Sequence, residues 1–202
     1  MNKSKPIWMV LLAAVVFWSA NTTMAGTIKG KVKVRGLRSP KNVVVYIDRV
    51  EGQFKPPQEH AIVNQKEMVF HPHVLLIVAG TTVEFHNGDQ VLHNVFTPDK
   101  CAEKFNLGTW PAGEVRSYTF KEVDCEAVIL CNVHPEMEAW VKVLQNPYFY
   151  KTDKDGVFTI ENIAAGKYTL KVWHKKAQGP SQEVTVPEKG EVTVNLKMKR
   201  KR

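Results

Sequence analysis

Four side chains in this 202-residue sequence form the one set whose types and spacing point to a definite chemistry. Cys131, His134 and Met137 fall within the seven-residue run Cys131-Asn132-Val133-His134-Pro135-Glu136-Met137, and His93 lies 38 residues before Cys131. A thiolate, two imidazoles and a thioether make a compromise donor set. Soft sulfur favours Cu(I), imidazole suits Cu(II), and a weak axial thioether completes a trigonal site. Such a set serves copper that changes oxidation state. The ligands then need a rigid frame, because rearranging them at each change would slow electron transfer. A strand ending at Cys131, a short loop carrying His134 and Met137, and a neighbouring loop carrying His93 would supply it. The chain has three cysteines, an odd number that leaves one without a disulfide partner, and a ligand role for Cys131 accounts for it.

The elements that must position these residues read as β throughout. Thr27 to Val34 alternates, with Ile28, Val32 and Val34 on one face and lysines on the other. Further β-type runs span 43–47, 74–79, 81–85, 115–120, 127–131 and 139–144, and more follow from Gly156 to Met198. Turn residues separate them at Pro56-Pro57, Asn87-Gly88-Asp89, Pro111-Ala112-Gly113 and Asp153-Lys154-Asp155-Gly156. The last faintly resembles a calcium loop, but an Asp-Gly turn explains it. Helical period is weak everywhere, and Asp99 to Asn106 has room for one or two turns. Many short strands with turn signals predict an all-β sandwich or barrel architecture.

Charge and the N-terminus bound the function classes. Residues 1–25 read as a secretory signal peptide: Lys3 and Lys5 precede the apolar run Ile7 to Trp18, and Thr23-Met24-Ala25 offers a small-residue cleavage site. That run is short for a membrane span, which takes about 20 residues, so no span is expected after cleavage; an uncleaved anchor is the alternative. The mature chain is expected in the periplasm, where disulfides persist. The formal net charge of +8 suggests nucleic acid until its distribution is read. Two units belong to the signal peptide and five to residues 197–202, read as a basic, solvated tail, with contact to an anionic envelope surface as the alternative. Residues 26–50 carry +6, whereas residues 51–145, which hold the four ligands, carry −6. No nucleic-acid partner is expected for an acidic body.

An Asn-following His and then C-x-x-H-x-x-M resemble the pattern of cupredoxins, the small blue-copper proteins such as plastocyanin and amicyanin. The stretch FHPHVLLIVAGTTVEFHNGDQVLHNVF is similar to the N-terminal half of that fold. The resemblance covers about residues 58–144. It implies a Greek-key β-sandwich over residues 53–145 holding one type 1 copper. His93, Cys131 and His134 would be equatorial ligands, Met137 the axial ligand, and Asn94 the residue bracing the ligand loops. It further implies a one-electron carrier rather than an enzyme, exchanging electrons through the edge of His134 with a redox protein such as a periplasmic cytochrome or oxidoreductase. A copper-delivery protein and an envelope scaffold are the alternatives. Glu136 and Glu138 would place two carboxylates beside the metal and favour a basic partner surface.

Cys101 and Cys125 are a candidate disulfide in an exported chain; the competing Cys125–Cys131 pairing would consume the ligand thiol. His71, His73 and His86 read as turn or surface histidines, with a second metal site as the alternative, and His60 and His174 have no partner legible in the sequence. Residues 146–196 resemble a carboxypeptidase regulatory-like (transthyretin-like, prealbumin-type) sandwich, through DGVF and GKYTL. Strands within residues 26–52 are expected to pair with that second sandwich, which would make the copper domain an insertion. Two domains in series are the alternative.

Overall fold

A computed structural model describes the chain from Ala25 to Arg202, and the signal peptide expected at residues 1–25 falls almost wholly outside the described residues. Strands account for nearly all regular structure. The chain opens with β1 (Ala25–Arg35) and β2 (Val44–Ile47). It continues through β3 (Ala61–Lys66), β4 (Val69–His71), β5 (Val74–Val78), β6 (Thr81–Asn87), β7 (His93–Phe96) and β8 (Asn106–Trp110). Next come β9 (Val115–Phe120), β10 (Glu126–Leu130) and β11 (Glu138–Leu144). The last run is β12 (Phe149–Lys151), β13 (Val157–Ala164), β14 (Gly166–Trp173), β15 (Ala177–Gln178), β16 (Gln182–Val186) and β17 (Glu191–Arg200). Where one or two helical turns were expected there is a single 3-10 turn, Lys100–Ala102. No helix among the described residues is long and apolar enough to cross a membrane.

The strands sort into two sandwiches. Strands β3 to β11 pair only among themselves, in sheets of order β5-β11-β10-β7-β8 and β4-β3-β6-β9. Their apolar faces enclose one core, which includes Phe70, Phe85, Trp110, Phe120 and Ile129. The period-2 pattern is cleanest in β6, where Thr81, Val83, Phe85 and Asn87 turn inward and the residues between them lie nearer the surface. Strands β1 and β2 pair instead with the strands after Phe149, giving sheets of order β13-β1-β17-β15 and β12-β2-β14-β16 around a second core. That core is built of Ile28, Val43, Phe158, Ile163, Leu170 and their aliphatic neighbours.

Strand β1 lies parallel to β17 in continuous register from Thr27↔Glu191 to Arg35↔Lys199. Gly30 permits the close approach, since a Cβ there would stand 1.7 Å from the Val194 carbonyl oxygen. The pairing corrects the reading of residues 197–202 as a solvated tail. Lys197 to Arg200 continue β17, with Leu196 and Met198 buried between exposed neighbours. The alternation of Leu196-Lys197-Met198-Lys199-Arg200 marks a half-buried strand as well as it marks a basic tail, and β1 supplies the missing partner. The Asp153 turn is also explained without a metal: its Oδ1 accepts the N–H groups of Asp155 (2.8 Å) and Gly156 (3.1 Å).

A third apolar cluster joins the sandwiches: Val44, Tyr46 and Trp173 from one side, Val74 and Leu144 from the other. Beside it the nearly buried Lys142 donates to the Asp124 carbonyl (3.2 Å) and Glu126 Oε1 (3.0 Å) and lies 5.7 Å from the Tyr46 ring centre. Burial, followed by the nearby carboxylates of Asp124, Asp48 and Glu126, pushes the Tyr46 phenol up to about 12.

Candidate metal centre

All four expected ligands lie at one end of the first sandwich. His93 is the first residue of β7, a strand rather than the loop the sequence suggested, and its side chain is fully buried. Cys131 follows directly on β10, is buried, and is the free cysteine among the described residues. His134, partly buried, sits in the turn between β10 and β11, which closes with the Met137 N–H donating to the His134 carbonyl (3.0 Å). Met137 is 1% exposed and belongs to the same core as Cys131.

One ligand atom from each of His93, Cys131 and His134 falls within 4.8 Å of the others. The two imidazoles present Nδ1 to each other at 3.1 Å, with ring centres 4.8 Å apart. Two nitrogens so placed can both reach one ion at ordinary metal–nitrogen distances of about 2.0–2.1 Å. The far side of His93 is fixed by a residue the sequence reading passed over: Asp89 Oδ2 lies 2.8 Å from Nε2. A carboxylate there holds the proton on Nε2 and leaves the Nδ1 lone pair facing the thiol. Asp89 is itself anchored, accepting the N–H groups of Glu67 (2.7 Å) and Met68 (2.9 Å). Burial opposes its ionisation, but the donors from Met68, His93 and Glu67 outweigh that and hold its carboxyl below the usual range. The signal was present in the sequence: Asp89 stands four residues before His93, inside an Asn-Gly-Asp segment read only as a turn.

Asn94 ties three segments together. Its backbone N–H points at Cys131 Sγ (3.4 Å), and its side-chain Oδ1 accepts the Asn132 N–H (3.3 Å). Its Nδ2 donates to Asn106 Oδ1 (2.9 Å) and the Gly108 carbonyl (2.7 Å) on β8. Asn87 does the same for the Asp89 loop, donating to the carbonyls of Val91 (2.8 Å) and Trp110 (3.0 Å) and accepting the Asp89 N–H (3.0 Å). Cys101 and Cys125 are joined in a disulfide between the 3-10 turn and the approach to β10. Gln65, on β3 beside Asn87, is fully buried, and neither polar atom of its side chain has a partner among the described residues.

The remaining histidines do not join this group. His60 Nδ1 and His86 Nε2 lie 2.7 and 2.8 Å from opposite oxygens of Glu84 on the exposed sheet face, and both contacts lower the Glu84 carboxyl. His71 is exposed, while His73 Nδ1 lies 2.9 Å from the Glu138 carbonyl oxygen. His73 and His174 line a cleft of about 260 Å³ between the sandwiches together with Arg38, Lys175 and Lys176. Burial, then the Lys175 charge, lowers both imidazoles. Glu138 is paired with Lys175 of the second sandwich, so of the two carboxylates expected beside the metal only Glu136 faces solvent without an ion pair. That neutralisation depends on a residue 37 positions away and is invisible to local reading.

Set against known proteins, residues 135–194 match the family model described as polysaccharide lyase family 4, domain II. No curated protein matches the chain. Among solved structures, the chain is similar to a purple cupredoxin from Nitrosopumilus maritimus, at 26% identity over 41% of this chain and 98% of that one, with a TM-score of 0.37. It is also similar to a reduced mutant of amicyanin, at 22% identity over 44% of this chain and 91% of that one, TM-score 0.40. A Cu-containing nitrite reductase from Thermus scotoductus SA-01 matches at 24% identity over 57% of this chain and 28% of that one, TM-score 0.41.

Proposed function

We propose that the chain is a periplasmic one-electron carrier with one type 1 copper held by His93, Cys131, His134 and Met137. The observation that carries this reading is the facing pair of imidazole Nδ1 atoms, 3.1 Å apart, beside the only free thiol among the described residues. When bound, copper supplies one-electron cycling between Cu(II) and Cu(I). The chain's own residues keep the donor set in place through that cycle. Asp89 fixes the ring of His93, Asn94 locks the Cys131 segment to β7 and β8, and the Asn94 N–H directed at Sγ stabilises negative charge on sulfur. Burial of His93, Cys131 and Met137 keeps water from three of the four donors, while the partly buried His134 offers the exchange route to a redox partner protein. No substrate is transformed at the site in this reading. The copper sandwich is inserted between β2 and β12 of a second, regulatory-like sandwich.

The test is the visible spectrum of the purified protein with Cu(II), compared with Cys131→Ser. An intense thiolate-to-copper band, lost in the variant, is the expected result. A colourless protein that holds Cu(I) tightly would favour copper delivery instead, and absence of copper binding would overturn both.

A further inference from the structure

The second sandwich carries a feature that the copper site does not use. Along β1 the residues Lys31, Lys33 and Arg35 all point outward, and along β17 so do Lys197 and Lys199. The parallel register sets Lys33 beside Lys197 and Arg35 beside Lys199. Neighbouring strands are about 4.8 Å apart, so two like-charged pairs stand side by side on alternate rungs, with Val34↔Met198 between them. Such pairs destabilise a sheet unless counter-charge is supplied. None comes from the described residues. At the other end of the same ladder Lys29 is paired with Glu191, but none of these five cations meets a carboxylate among the described residues. Next to the two rungs lies an open cavity of about 680 Å³, whose walls combine the same four cations with Val34, Pro180 and Met198 and include no acidic group.

We propose that this end of the second sandwich docks on the anionic phospholipid surface of a membrane. Phosphate headgroups would sit between the paired cations, and the apolar hollow would take the glycerol and upper acyl region of a lipid. A lipid surface fits better than the alternatives. A nucleic acid would neutralise the cations but leave the apolar hollow unfilled. A specific acidic protein would call for fixed, buried polar groups to read it, and the polar lining here is all exposed: lysine and arginine on flexible stems, with Gln178. The electrostatics favour a plane of charge: each Lys or Arg close to an anionic leaflet contributes about five-fold in affinity, and the contributions accumulate. The acidic copper sandwich, at −6 over residues 51–145, would be turned away from such a surface and left free for a redox partner. The proposal does not depend on the metal.

Co-sedimentation of the purified protein with phosphatidylglycerol/phosphatidylcholine vesicles, against pure phosphatidylcholine vesicles, tests it. Binding is expected only to the anionic vesicles, weakening as salt rises. The double variant Lys33→Gln with Lys197→Gln should lower it about 25-fold, with the thermal midpoint unchanged or raised. Lys66→Gln with Lys121→Gln, two exposed cations of the copper sandwich, should leave it unchanged. Equal binding to both vesicle types, or an undiminished double variant, would overturn the proposal. So would full displacement by millimolar inorganic phosphate, which would reveal a free-anion site. Binding to a short DNA duplex as tight as to the vesicles, and lost in the same double variant, would overturn it in favour of nucleic acid.

Discussion

The two sandwiches bury different things. The core of the second is filled by Ile28, Val32, Val45, Phe158, Ile163, Leu170 and Leu196; its buried Asn146 and Thr152 bond the backbone of residues 40–47, and its charge is displayed on the outer face of β1 and β17. The first buries His93, Asn94, Asn87 and Gln65, together with the Cys131 thiol, toward one end of an otherwise similar core. Buried polar groups cost free energy unless their hydrogen bonds are made, so a core that gathers four of them and a thiol at one end is organised around a site. The contrast separates a half whose buried polar groups gather around the candidate site from a half whose buried polar groups serve the backbone.

The largest effects should come from opening each core. Phe158→Ala and Phe85→Ala each remove a fully buried ring, and each is expected to destabilise its own sandwich by about 3–5 kcal/mol. If the halves divide the labour as described, Phe85→Ala will weaken copper retention and Phe158→Ala will leave the thiolate band intact in the protein that remains folded. Denaturant unfolding followed by that band and by near-ultraviolet dichroism distinguishes the two; equal loss of the band in both variants would break the comparison.

Gln65 sharpens it. An amide buried without partners costs about 1–3 kcal/mol, so Gln65→Leu should raise the stability of the protein by that order, read from the denaturant midpoint. A drop in copper affinity accompanying the gain would show that the amide belongs to the site rather than to the fold. Asp89→Ala removes the support behind His93 and is expected to lower copper affinity 10–100-fold, with little change in the unfolding of the second sandwich. Competition with a chelator measures it.

The smallest effect concerns an exposed pair that links residues on either side of the joint. Arg49, by its hydrogen bond first of all, lowers the Asp124 carboxyl below its usual range, against the opposing effect of burial. A carboxyl lowered in the folded state stabilises above its unfolded value of about 3.9, and that contribution is lost as pH falls through the folded value. Both side chains are about half exposed, so Asp124→Asn should cost only about 0.2–1 kcal/mol at pH 6–7 in dilute salt, and less at a pH well below the unfolded value. Asn keeps the left-handed backbone that residue 124 adopts (φ 66°), which isolates the charge. Thermal midpoints at the two pH values read the difference.

What was legible in the sequence was local. Cys131, His134 and Met137 are close along the chain, so their donor types and spacing announced a metal centre before any strand was placed. Alternation of the kind seen in β6 and β1 announced strands and the face each would bury. Several short strands escaped because their patterns are mixed. β3 and β8 carry Asn, Gln and Gly where a half-buried strand is expected to be apolar, and only pairing with β6 and β7 makes strands of them.

Taken alone, then, the sequence determined the donor set, the all-β character and the inward face of the stronger strands, because these depend on residue type and a period of two. Partnership was decided by the tertiary structure. That Lys197 to Arg200 extend a strand, that Lys33 meets Lys197, that Lys175 neutralises Glu138, and that Asp89 backs His93 are all matters of pairing and loop packing. A strand's own alternation fixes the face it buries but carries no mark of the neighbour that will complete its hydrogen bonds, and that neighbour here lies 164 residues away, as Lys31↔Asn195 and its flanking pairs illustrate.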